Sequence, residues 1–195
     1  MKKTKAEAEE TAQVLLQTAK RHFAKNGYAK TALEDIVKDS GVTRGALYHH
    51  FKNKKGLFFA VIESIQKKIA QDIEQQASRG SEQWEQLSIG CRAFIKSAIE
   101  PDHKQIILID GPAVIGWNRW RQLDANHSMK LLYSQLDQMQ KNGCFSSLSV
   151  ESLTHSLSGA MNESALWIAE QGSFDSLDEA MCVLDVYFEG LKQTN

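Results

Sequence analysis

A chain of 195 residues is long enough for one sizeable folded domain, or a small one joined to a medium one. With 42% hydrophobic residues, 24% charged residues and 2 prolines, its composition is ordinary for a soluble globular protein, gives no indication of disorder and favours helices almost throughout. The net charge of −1 does not by itself suggest a nucleic-acid partner.

The distribution of that charge does. Residues 1–56 carry 12 Lys and Arg against 6 Asp and Glu, a net of +6, while the other 139 carry 11 against 18, a net of −7. A basic head on an acidic body is the electrostatic footprint of a protein that docks on phosphates. Cys91, Cys144 and Cys182 are odd in number and lack CxxC spacing, so a disulfide framework or zinc site is not expected and a reducing cytoplasm is. The opening MKKTKAEAEE leads into no apolar signal region, and the aliphatic run at 106–109 is far short of the roughly 20 residues of a membrane span.

In chain order, Ala12, Leu15, Leu16, Ala19 and Phe23 recur at helical spacing, and Gly27 supplies a stop, predicting a first helix over 6–26. Thr31, with Glu34 three residues on, has the form of a capping box opening a two-turn helix through Leu33, Ile36 and Val37. Gly41 ends it, and Thr43 caps a third helix through His50. A fourth helix starts after Asn53 and runs to about Ala77, followed by a linker at 78–81. Helices are then expected over 82–98, from Pro101, and from a break at 110–112 in one long run to about Lys141. Two more follow, over 149–171 and 176–192. The reading is all-α, about nine helices.

Residues 33–52 fit a helix-turn-helix, in which Val37 and Leu47 meet so that the second helix can enter a major groove about 12 Å wide. Its exposed side would be Thr43, Arg44, Gly45, Ala46, Tyr48 and His49. Arg44 suits a guanine edge, Thr43 and Ala46 a thymine methyl, and Gly45 a close backbone approach. Tyr48, His49, His50, Lys52, Lys54 and Lys55 are donors for phosphate oxygens, with Thr31 at the head of the preceding helix.

The stretch TALEDIVKDSGVTRGALYHHFKNKKGLF, residues 31–58, resembles the DNA-binding segment of the tetracycline-repressor (TetR) family of bacterial transcriptional regulators. The resemblance lies at Thr31, Ile36, Gly41, Val42, Leu47, Tyr48, His50, Phe51, Lys54 and Leu57. Lys55 and Gly56 depart from it, standing where relatives often carry acids; Gly56 should loosen the first turn of the fourth helix. The resemblance implies a helix-turn-helix DNA-binding domain over 1–53. It would be joined through helix 4 to a ligand-binding and dimerisation bundle over 54–195 that holds a small-molecule inducer.

All four tryptophans fall within 82–171, and aromatic side chains with a few polar hooks make either a small-molecule site or a plain bundle core. Phe94, Trp120, His127, Met161, Asn162 and Trp167 are the candidate pocket walls. Leu153, Leu157, Ala160, Ser164 and Trp167 step by 4, 3, 4, 3, as do Leu177, Met181, Leu184, Phe188 and Leu191. Such seams fit a four-helix bundle made with a second copy, or this subunit's own core. No HExxH, phosphate loop or dinucleotide fingerprint occurs, so neither an enzyme nor a cofactor or metal is expected. The expected partners are a palindromic double-stranded operator, a second copy and a mostly apolar effector; the alternative is a constitutive DNA-binding regulator without a ligand.

Overall fold

The computed structural model describes residues 4–146, 148–171 and 175–193, and these contain helices and no strand. The helices are α1 (Lys5–Lys30), α2 (Leu33–Ser40), α3 (Arg44–Phe51), α4 (Lys54–Ala77), α5 (Gln83–Ala98), α6 (Pro101–Lys104), a π-helical stretch (Gln105–Asp110), α7 (Gly111–Ile115), α8 (Trp117–Asn126), α9 (Ser128–Lys141), α10 (Val150–Gln171) and α11 (Asp175–Lys192). Taking the uninterrupted run 101–115 as one, there are ten among the described residues, against about nine expected. No helix among them is long and apolar enough to cross a membrane.

The chain divides into two compact units, the first comprising residues up to Ile65 and Pro101–Trp120, the second Gln66–Glu100 and the residues from Arg121 onward. The expected boundary at 53/54 falls at the first residue of α4, whose residues 54–65 lie in the first unit and 66–77 in the second.

In the first unit, α1 opens on a capping box that the sequence reading placed elsewhere: the Glu7 amide donates to Thr4 Oγ1 at 3.3 Å and the Thr4 amide to Glu7 Oε2 at 2.7 Å. At Gly27 the helix is interrupted (φ 72°, ψ 167°) before a last turn to Lys30. Thr31 does not cap α2, whose N-cap is Ala32 without a side-chain bond. Its hydroxyl instead lies 2.8 Å from the Gly27 carbonyl, to which it donates, and the residue is 3% exposed. Carbonyls freed by the interruption of α1 outcompete the amides of α2 for that hydroxyl. Leu15, Phe23, Ile36, Leu47 and Phe58 form the core, with Phe23 and Phe58 in edge contact at 4.9 Å.

The expected break at Asp110–Gly111–Pro112 is absent. Pro112 lacks an amide proton, and its ring would crowd the carbonyl four residues back. The turn before it widens into the π-helical stretch Gln105–Asp110, which lets the chain pass helically through this point. The long helix expected to follow is cut twice, at Gly116 (φ 89°) and at His127 (φ −122°, ψ −97°).

In the second unit, Leu177, Met181, Leu184, Phe188 and Leu191 are all below 9% exposed, so the α11 stripe assigned to a partner copy is filled by the subunit's own core. On α10, Leu157 is likewise buried, Leu153, Ala160 and Ser164 are half-buried, and Trp167 is exposed. The exposed apolar side chains of α11 are Val183, Val186 and Tyr187, on its other face.

Candidate nucleic-acid interface and effector cavity

The turn between α2 and α3 is set by local chemistry. Gly41 sits in the left-handed region (φ 66°, ψ 12°), and the Ala46 amide donates to Thr43 Oγ1 at 3.3 Å to cap α3. Ile36 and Leu47 are fully buried, while Val37, the partner assigned to Leu47, is half-buried. With Leu47 pinned inward, Thr43, Arg44, Gly45, Tyr48 and His49 are left exposed, and Ala46 and His50 are half-exposed at the edges. Arg44 extends over its neighbour: the guanidinium lies 5.5 Å from the Tyr48 ring centre, Nη2 donates to Tyr48 Oη at 3.3 Å, and Glu34 is 3.7 Å away. Both members of that ion pair are well exposed, so water screens it and a nucleic acid could replace Glu34 at little cost.

Lys52 and Lys55 point to solvent. Lys54 does not. Its ammonium stands 4.4 Å above the Tyr28 ring and donates to the Ala29 carbonyl at 3.3 Å. Burial lowers its pKa from the ordinary lysine value, opposed by the Asp110 carboxylate. Asp110 Oδ2 in turn accepts the Tyr28 amide at 2.7 Å, tying the 101–120 segment to α1 where that helix is interrupted. The sequence carried no signal for this: Tyr28 and Asp110 are 82 positions apart. Asn53 caps α4, Oδ1 accepting the Gly56 amide at 2.8 Å. A Cβ at position 56 would meet the Phe51 carbonyl oxygen at 2.1 Å, so Gly56 tightens this junction where a loosening was expected. Thr31 is buried beneath this surface with its hydroxyl engaged.

The second unit holds a partly open cavity of about 370 Å³, walled by Ile73 and Glu74 of α4, Phe94 of α5, Asp124 of α8, Leu132 of α9 and Met161 of α10, among others. Its size is within the ordinary range for small-molecule sites. Of the side chains read from the sequence as pocket walls, Phe94 and Met161 line it. Asn162 stands behind it, donating to the Ser158 carbonyl at 2.9 Å. Trp120 belongs to the first unit, where its indole donates to the Ile107 carbonyl at 2.7 Å. His127 precedes α9 and Trp167 lies on the exposed side of α10, and neither lines the cavity. Aromatic character did not single out lining residues, because buried rings also serve the core.

Asp124 is the polar residue the sequence reading missed. It is 1% exposed, and its Oδ2 accepts from Arg121 Nη1 at 3.3 Å, Ser158 Oγ at 3.3 Å and Asn162 Nδ2 at 3.5 Å. Burial raises its pKa from the ordinary carboxylate value, and this outweighs the opposing pull of Arg121, Ser158, Asn162 and His127. The available signal was its place beside Trp120 and Leu123 on the apolar side of α8. Cys91 also lines the cavity, but burial pushes its thiol up to about 12, too high for a nucleophile.

Comparison with known proteins fixes the family. Residues 15–61 match the model for bacterial regulatory proteins of the tetR family, and residues 84–191 match that for the tetracyclin repressor-like C-terminal domain. The chain belongs to the TetR family. This TetR-family protein is 32% identical to a TetR-family transcriptional regulator from Pectobacterium atrosepticum, with 97% of each chain covered and a TM-score of 0.80. It is 46% identical over 77 residues to the HTH-type transcriptional regulator AcrR of Shigella flexneri, covering 39% of this chain and 36% of that one. With TtgR of Pseudomonas putida the figures are 38% over 92 residues, 47% and 41%. The matches thus span about two fifths of these curated relatives. Both matched models describe regulatory proteins of the repressor type.

Proposed function

We propose that this TetR-family protein is a ligand-responsive repressor that binds a palindromic operator as a homodimer and releases it when a small, mostly apolar molecule fills the cavity of the second unit. In this reading residues 1–53 read DNA, and residues 54–195 bind the effector and the second copy in the cytoplasm. The observation that carries it is a polar α3 face, with Leu47 buried beneath it, in a chain that also holds a partly open, mostly apolar cavity. Thr43, Arg44, Gly45 and Ala46 would meet base edges, and Tyr48, His49, His50, Lys52 and Lys55 the phosphates. Lys54 and Thr31 would support that surface from within. The second copy would pack on the outer faces of α10 and α11, where Trp167, Val183, Val186 and Tyr187 are exposed.

The effector acts only through a difference in affinity between two states. Helix α4 is the element that would convey it, since one end carries Lys54 on the Tyr28 ring and the other contributes Ile73, Glu74 and Ala77 to the cavity wall. The test is to select DNA from a random pool with the purified protein and then follow release of that DNA against a library of apolar and cationic compounds. A ligand that binds the cavity yet leaves DNA affinity unchanged supports instead a constitutive regulator with a passive cavity.

A further inference from the structure

We propose that the effector carries a protonated amine on an apolar body and that Asp124 Oδ1 accepts its N–H. This rests on the effector-cavity reading above and names the chemistry of what enters. Two carboxylates, Glu74 and Asp124, are among the residues that line the cavity, and among the described residues no Lys, Arg or His does. Glu74 is exposed at one margin, whereas Asp124 is 1% exposed. Its three hydrogen bonds all arrive at Oδ2, and among the described residues none reaches Oδ1.

A carboxylate has about four acceptor sites, and buried polar groups are as a rule satisfied, so Oδ1 has capacity for a donor from inside the cavity. Arg121 neutralises the pair without lining the cavity; its other nitrogen lies 3.8 Å from Met129 Sδ and 3.5 Å from His155 Nδ1. An entering anion would therefore face two carboxylates and no cation. A neutral apolar molecule would leave Oδ1 as it is. An ammonium gains a charge-assisted hydrogen bond in a low-dielectric wall while its hydrocarbon covers Ile73, Leu87, Phe94, Leu132 and Met161. The burial that raises the Asp124 pKa also marks how poorly that carboxylate is solvated without such a partner.

Titration calorimetry of the full chain with n-octylamine, 1-octanol and octanoate tests this. The amine is expected to bind at least about tenfold more tightly than the alcohol, a difference of one decade in Kd, and octanoate the weakest of the three. Asp124→Asn should erase the amine's advantage and leave the alcohol unchanged; Glu74→Gln, at the exposed margin, should reduce it less. Should Asp124→Asn not fold, the ranking of the three probes on the wild-type protein still decides. Equal binding of amine and alcohol, a preference for octanoate, or no binding of any probe overturns the proposal. Release of selected operator DNA is followed in parallel. The expected ranking without release would sink the effector reading and leave the site chemistry standing; release by the alcohol alone would do the reverse.

Discussion

A methyl group added at Gly45 would meet no atom within 4 Å, yet glycine in the first turn of α3 costs roughly 0.5–1 kcal/mol of stability relative to alanine. Nothing inside the protein explains that cost, whereas a DNA backbone or base edge lying against α3 does. Gly45→Ala is expected to raise the thermal midpoint and weaken operator binding; a variant that binds as well as wild type would remove the explanation. Arg44→Ala should cost about 1–3 kcal/mol at the selected site and relax sequence preference. Lys55→Ala should weaken all sequences alike and reduce the salt slope by about one unit. Lys54→Ala, by contrast, should alter the slope little, because its ammonium is spent on Tyr28 and Ala29. Asp124 gives a pH prediction. Its folded pKa lies above the unfolded value, so its contribution to stability is fully present below the ordinary carboxylate range and is lost as pH rises through the raised value. Urea midpoints across acid to neutral pH should therefore shift in favour of Asp124→Asn as pH rises. A constant difference between the two proteins would mean that Asp124 is not so perturbed.

Between elements, the α3–α4 junction governs how the reading helix is held. Lys52 adopts a positive φ of 66°, Asn53 caps α4, and Gly56 lets the Phe51 carbonyl come close. Gly56→Ala has to displace backbone and is expected to lose about 1–3 kcal/mol in urea unfolding, with weakened operator binding. Retained stability would show that the junction yields freely. Much at this level was legible in the sequence because it is local: Gly41, Thr43 and Asn53 punctuate the chain through bonds to residues at most three positions away. Thr31 was misplaced because its hydroxyl had a choice, and the carbonyls released at Gly27 were a feature of the fold. The cut at His127 and the helical passage through Pro112 likewise depend on packing and backbone widening that no residue pattern announces. The spacing on α11 correctly located an apolar face, but spacing does not say which body covers it.

At the scale of the whole molecule, the reading predicts a dimer held by the faces of α10 and α11 opposite to those that fill the core. Val186, 69% exposed, offers a clean probe. Val186→Glu should give a monomer in light scattering while the chain remains folded, and should lose operator affinity because two half-sites can no longer be engaged together. Leu184→Ala, at 1% exposure, should instead destabilise the subunit itself by about 2–5 kcal/mol. A Val186→Glu protein that stayed dimeric would place the interface elsewhere. In the dimer the two α3 helices should be spaced for successive major grooves, roughly 34–36 Å, and the selected DNA should be palindromic at that interval.

The π-helical stretch Gln105–Asp110 has a consequence for register. A π turn spends one more residue per hydrogen bond than an α turn, so it behaves as a built-in insertion. Removing one residue from 105–109 would take out that insertion and allow the run to close as ordinary α-helix, with the side chains on either side held near their present phase. The aspartate now at position 110 would still face the Tyr28 amide, which it holds at 2.7 Å, whereas removing one residue from the α-helical turn at 101–104 would swing it away by about 100°. The helical content of the two deletion proteins would be alike in circular dichroism, and only the angular phase of one helix would separate them. Phase, in this segment, is the quantity on which the hold over α1 depends.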